Sequence, residues 1–188
     1  MPTCFVIQPF DEGKFDKRYK QIFSPAIIAA GATPYRVDED VQVEVPIEAI
    51  EKGIREAAVC LADITLDNPN VWFELGYAIA IGRPVAMICS TERVGKYPFD
   101  IQHRAVIRYK IDAPEDYIDL EEKITDKIKV LLEKREALLE LSREEAIAPV
   151  DGLTQGELTV LAVIAGEEAA RMSGSADIPP RTNQSENF

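Results

Sequence analysis

Histidine is almost missing from this 188-residue chain: His103, in FDIQHRAVI, stands alone. A Ser-His-Asp triad and a histidine-built zinc site both lose their usual parts. The three cysteines, Cys4, Cys60 and Cys89, form no Cys-x-x-Cys pair, and each sits in a short apolar run. Buried free thiols are therefore expected, not a metal or redox site. His103 is expected on the surface or at a strand edge. Basic residues are also short, 21 Lys and Arg against 33 Asp and Glu, for a formal net charge of −12. That field repels phosphate backbones and anionic membranes, so neither nucleic acid nor a membrane is an expected partner. No apolar run approaches the roughly 20 residues that a membrane span needs. The opening MPTCFVIQPFDEGK lacks the basic start and the cleavage site of a secretory signal, so a cytoplasmic location is expected.

Short apolar runs alternate with helical segments, the pattern of a parallel sheet covered on both faces. Residues 3–7, 33–37, 58–62, 84–88 and 105–109 read as five strands. Between the second and third, Ile47, Ile50, Ile54 and Ala57 mark one face of a helix opened by Pro46. The first helical segment carries Tyr19, Phe23, Ala26 and Ala30 at similar spacing, but Pro25 inside it should kink or divide it, and Gly31 should end it. NVWFELGYAIAIG, residues 70–82, is apolar almost all round and predicts a buried helix whose one charge is Glu74. The expected fold is a five-stranded parallel, flavodoxin-like or TIR-like α/β sheet of order 2-1-3-4-5 over residues 1–112.

Residues 113–172 predict helices. The first is about 28 residues, long enough at 1.5 Å per residue to overhang a strand. Its leucines at 131, 132, 138, 139 and 141 would need a further surface to cover them. A second helix opens at a capping box of Thr154 and Glu157 with a staple of Leu153 and Leu158. These helices are expected to make a homo-oligomer, and residues 173–188 have the composition of a disordered tail.

Ligands of open parallel sheets bind outside the carboxyl ends of the strands. The residues there are Gln8, Pro9, Phe10, Asp11 and Glu12 after the first strand, Asp38, Glu39 and Asp40 after the second, and Asp63 to Asn70 after the third. Asn70 is expected to cap the apolar helix, which puts Glu74 one turn deeper on the same face. An unpaired carboxylate among Val71, Trp72, Phe73 and Leu75 costs several kcal/mol unless it is hydrogen-bonded or faces a cleft. Glu74 thus either accepts bonds from a neighbouring loop or serves as a nucleophile or cation-stabilising base at a cleft floor.

ADITLDNPNVWFELGYAIAIGRPV, with CFVIQPF at the start and VDED after the second strand, resembles the nucleoside 2-deoxyribosyltransferase-like superfamily, related in fold to the bacterial TIR-like NAD hydrolases. The resemblance covers about residues 3 to 110. Glu74-Leu75-Gly76-Tyr77-Ala78 matches the family's Glu-x-Gly-x-Ala. It implies that Glu74 is catalytic, that Asp63 is an acidic residue of the pocket, and that Gln8, Pro9 and Phe10 form the first substrate-contacting loop. Asn68-Pro69-Asn70 stands where the transferases carry Gly-Thr, which favours hydrolysis over exchange between bases.

Cleaving a bond between sugar and base builds positive charge on the sugar ring, and a carboxylate beneath the anomeric carbon captures or stabilises it. A neutral base also needs a proton as it leaves, which Asp63 or Asp67 could supply. Nicotinamide leaves a cationic ring as a neutral molecule, so NAD, entering as substrate and not as cofactor, needs no such acid. Asp38, Asp67 and Asn70 are further candidate contacts, and Phe10 or Trp72 could stack on a base. Lys14, Lys17 and Arg18 could hold a phosphate, with a solvated basic face as the alternative. The acidic loops favour a nucleoside, a nucleoside monophosphate or NAD over a triphosphate. Two rivals remain: a non-catalytic TIR-like assembly module, and a phospho-acceptor receiver using Asp63 and Lys110. The receiver lacks the acidic pair after its first strand.

Overall fold

The computed structural model describes residues 1–11, 13–40, 46–143, 156, 157, 160, 161, 163 and 164. Strands β1 (Thr3–Ile7), β2 (Thr33–Tyr35), β3 (Val59–Asp63), β4 (Val85–Ser90) and β5 (Val106–Tyr109) form one all-parallel sheet in the order β2-β1-β3-β4-β5. This is the expected fold class and strand order. β2 ends at Tyr35, earlier than its pattern predicts, because the chain turns into a short 3-10 helix at Val37–Glu39.

Alternation along each strand divides two cores. Cys4, Val6, Leu61 and Ile88 point to one, while Phe5, Ile7, Cys60, Ala62 and Cys89 point to the other. The first face is covered by the initial helical segment and by α5 (Pro114–Arg143), through Tyr19, Phe23, Ile27, Leu120, Ile124 and Ile128. α3 (Pro46–Glu56) and α4 (Pro69–Ala80) cover the second, through Ile54, Ala57, Val71, Leu75 and Ala78. Each fully buried Leu or Ile contributes about 1.5–3 kcal/mol. α3 lies so close to the sheet that a Cβ at Gly53 would stand 2.6 Å from the Phe5 ring. The three cysteines are buried free thiols.

Pro25 does divide its helix. α1 (Lys14–Arg18) passes into a single π turn at Tyr19–Phe23, and α2 (Ser24–Ala29) follows with Pro25 in its first turn. Proline can donate no hydrogen bond and crowds the carbonyl one turn back, so the wider π turn just before it relieves both problems. Gly31, at φ +85°, closes α2: its N–H bonds to Ile28 O at 2.9 Å and the Ala32 N–H to Ile27 O at 3.1 Å.

α4 departs from expectation. Only Val71, Glu74, Leu75 and Ala78 are buried, while Phe73 is 53% exposed and Gly76 and Ala80 are also open. The helix is apolar almost all round, yet it is buried along one side only; Trp72, Tyr77 and Ile79 are partly covered, and Phe73, Gly76 and Ala80 are open.

The chain divides into two compact units, Met1–Glu136 and Ala137–Phe188. In the second, α5 continues to Arg143, and Gly156, Glu157, Val160, Leu161, Val163 and Ile164 are helical. Thr154, Leu153, Leu158, the expected tail 173–188 and Glu12 lie outside the described residues. Among those described, no helix is long and apolar enough to cross a membrane.

Candidate active site

The chain order switches direction between β1 and β3, and a cavity of about 380 Å³ opens there at the carboxyl ends of the strands. Gln8, Pro9 and Phe10 enter it from the end of β1, and Asn68, Asn70, Phe73 and Glu74 from the start of α4. Ile47 and Ile50 of α3 complete it. No lysine or arginine is among these lining residues.

Glu74 is 6% exposed. Among the described residues, no hydrogen-bond donor or cation partners its carboxyl. Burial alone pushes its pKa up to about 7. Gln8 is 3% exposed; its Nε2 donates to Phe15 O at 3.4 Å, and its Oε1 is buried without a partner. The cavity therefore combines unsatisfied acceptors with the apolar Phe10, Ile47, Ile50 and Phe73.

The cap of α4 is Asn68 and not Asn70, which corrects the sequence expectation. Asn68 Oδ1 accepts from the N–H groups of Asn70 at 2.9 Å and Val71 at 3.3 Å. Pro69 then occupies the first helical turn, where its missing donor costs nothing. With those amides engaged, the helix start is not an open cradle for an anion.

Asp63 belongs to a different constellation. At the end of β3 it is 1% exposed and does not line the cavity. Its Oδ1 accepts from Thr65 N–H at 3.0 Å and from the Thr65 hydroxyl, and its Oδ2 from Tyr109 OH at 2.7 Å. Arg18 donates to Tyr109 OH at 3.2 Å and pairs with Glu92 at 2.7 Å. Burial pushes the Asp63 carboxyl above its ordinary range, against the pull of these hydrogen bonds and of Arg18. This network ties the ends of β3, β4 and β5 to α1, with Ser90 N–H donating to Thr65 Oγ1 at 2.9 Å.

The remaining expected contacts are dispersed. Asp38 is held by Arg36, whose Nε reaches Asp38 Oδ1 at 2.9 Å; Arg36 also pairs with Asp16 at 2.9 Å, and its guanidinium lies 5.2 Å from the Phe10 ring centre. Asp67 pairs with Arg93 at 2.6 Å. Trp72 faces a separate groove beside Gly76, Ile79 and Ile101, with Arg93 5.6 Å from its ring. Lys14 and Arg18 both pair with Glu92, and Lys17 is exposed. His103 is exposed, its ring edge-on to Phe99. Of the expected site residues, the structure thus gathers Gln8, Pro9, Phe10, Asn70 and Glu74 and leaves out Asp38, Asp63, Asp67 and Trp72. Sequence reasoning missed Phe73, although it sits one residue before Glu74, where a helix turns its side chain toward the same mouth.

Fold and site together define a doubly wound α/β protein with one buried, unpaired carboxyl in a cleft at its topological switch point. No protein-family model matches the chain, and no curated protein matches it.

Proposed function

We propose that the chain is an N-glycosidase that cleaves the bond between a sugar and a base carrying positive charge, with the nicotinamide riboside unit, free or within NAD, as the best-fitting substrate. The observation that carries this reading is the Glu74 carboxyl, buried, unpartnered and pushed up to about 7 in a ligand-sized cavity. Such a group gains a partner when positive charge develops on a sugar ring beside it. As the C–N bond breaks, its electron pair leaves with the base. Glu74 either bonds to the anomeric carbon or stabilises the cation until water adds there and releases a proton.

The choice of base follows from what else lines the cavity. Glu74 is the one titratable group among the described lining residues. The described lining residues hold no separate acid to protonate a neutral base, and a base leaving a cationic ring needs none. The volume is near the lower end of the roughly 300–1,000 Å³ of small-molecule sites, which suits one nucleoside unit and leaves any phosphates outside. The likeness of Glu74-Leu75-Gly76-Tyr77-Ala78 to the transferase-like motif supports the same reading.

Chromatography after incubation with NAD, nicotinamide riboside and a set of neutral nucleosides, each with a second free base present, tests it. Release of nicotinamide and free sugar product is expected. Accumulation of a base-exchanged product would instead make the chain a transferase. No turnover of any substrate would favour the non-catalytic assembly module.

A further inference from the structure

We propose that Arg93 is a positioning residue of the cleft: its guanidinium clamps the loop between β3 and α4 and so fixes where Glu74 stands, an inference that rests on Glu74 being the reacting carboxylate. The side chain of Arg93 is 2% exposed, although the residue lies in the loop after β4. Its Nη1 donates to Ile64 O at 3.0 Å and to Thr65 O at 3.5 Å, and its Nη2 to Asp67 Oδ1 at 2.6 Å and Lys96 O at 3.1 Å. The guanidinium also lies 5.6 Å from the Trp72 ring centre and 5.4 Å from that of Tyr97. One side chain thus holds the loop and lies against the first turn of α4. Asn68, which caps α4, follows Asp67 directly, and Glu74 comes two residues after Trp72.

Packing does not account for an arginine here. A methionine or leucine between Trp72 and Tyr97 would fill the space without burying a charge, whose desolvation can outweigh what pairing returns. Arg93 Nε is moreover buried without a partner among the described residues. What only arginine supplies is a rigid fork of donors, which reaches carbonyls and a carboxylate at once and fixes the path of the loop. The neighbouring residue reaches the other wall. Glu92 accepts from Arg18 at 2.7 Å and from Lys14 at 3.3 Å, both in α1, and α1 holds Gln8 Nε2 through the Phe15 carbonyl at 3.4 Å. Adjacent residues after β4 therefore hold the wall that carries Gln8 and the wall that carries Glu74, and neither is among the described residues lining the cavity. A carboxylate that meets a developing cation must be held near one distance, and a shift of about 1 Å costs about 100-fold in rate.

Hydrogen exchange and kinetics of the full chain test this with Arg93→Lys, Asp67→Asn and Ile124→Val. Lysine keeps the charge and loses the fork. Asp67→Asn removes one arm of the clamp at an exposed position, and Ile124→Val, in the core on the opposite face of the sheet, is a control for lost stability alone. The amides of Asn70, Val71 and Trp72 bond to Asn68. In Arg93→Lys they should exchange at least about tenfold faster, while those of β1 stay within about twofold, because the opening is local. On nicotinamide riboside, kcat should fall about 100-fold with KM within about threefold. Asp67→Asn should show both changes at smaller amplitude, and Ile124→Val neither. Unchanged exchange at the start of α4 in Arg93→Lys, exchange raised evenly along the chain, or a parent-like kcat despite local opening would each overturn the proposal. A parent that releases no base refutes the glycosidase reading instead, and the exchange arm then decides whether Arg93 holds the start of the Glu74 helix.

Discussion

Gln8 and Glu74 line one cavity from different elements, the first just beyond β1 and the second in the second turn of α4. Each carries an acceptor that no described donor satisfies. A wholly apolar ligand would leave both acceptors unsatisfied at about 1–3 kcal/mol each, whereas a sugar brings hydroxyl donors. The ribosyl substrate proposed above would supply such donors, and Phe10 and Phe73 line the same cavity.

The raised pKa of Glu74 makes it a source of instability at neutral and higher pH. The folded protein holds this proton more tightly than the unfolded chain, where the value is 4.5. Stability from this group is complete below about pH 4.5, declines as the pH rises toward about 7, and is lower by about 3 kcal/mol above that. Glu74→Gln is neutral at every pH, so it should resist urea better than the parent at pH 8 and equally at pH 4. Urea melts at the two values check this; a parent-like midpoint at pH 8 would show that Glu74 is not buried as an unpaired charge.

Removing Asp63 should act on folding before chemistry. Asp63→Ala strands the hydroxyls of Thr65 and Tyr109 inside the protein, which costs about 2–4 kcal/mol. Chemical denaturation should show that loss, and the fraction that remains folded at low temperature should keep its kcat within a few-fold. A stably folded Asp63→Ala with no turnover would move Asp63 into the chemistry.

Capping distinguishes two neighbouring asparagines. Asn68→Ala should destabilise the fold by about 1 kcal/mol and Asn70→Ala by much less, because only Asn68 accepts from the helix amides. Thermal melts of the two variants give the comparison, and equal shifts would contradict the assignment.

Gly53 offers a test of the sheet packing. Gly53→Ala would drive a Cβ to 2.6 Å from the Phe5 ring and 3.1 Å from Tyr35, so despite better helix propensity it should lose about 1–3 kcal/mol. A more stable Gly53→Ala would mean that α3 sits farther from β1.

The strand order and the place of Glu74 were legible in the sequence because both rest on periodicity. Apolar runs spaced by helical segments give a parallel sheet, and a lone carboxylate in an apolar helix stands out against its neighbours. Asn68-Pro69 was legible too, as a cap followed by a first-turn proline, but Asn70 stands closer to the apolar run and takes its place in a reading by pattern. Asp63 and Asp38 could not be placed from sequence. Their surroundings depend on Tyr109, Thr65 and Arg36, partners brought in by the fold, and a strand-end aspartate looks the same whether it faces a cleft or a tyrosine. The half-exposed α4 was misread for a related reason: all-round apolarity records that a face avoids water without saying what covers it.

Base release by the parent and by Glu74→Gln, followed side by side on NAD and nicotinamide riboside across pH 5–9, tests the central claim most directly. The parent should release nicotinamide with a rate that rises as Glu74 ionises, half-maximal near pH 7, and Glu74→Gln should fall by orders of magnitude while keeping its circular dichroism spectrum. Equal release by the two proteins would contradict the account.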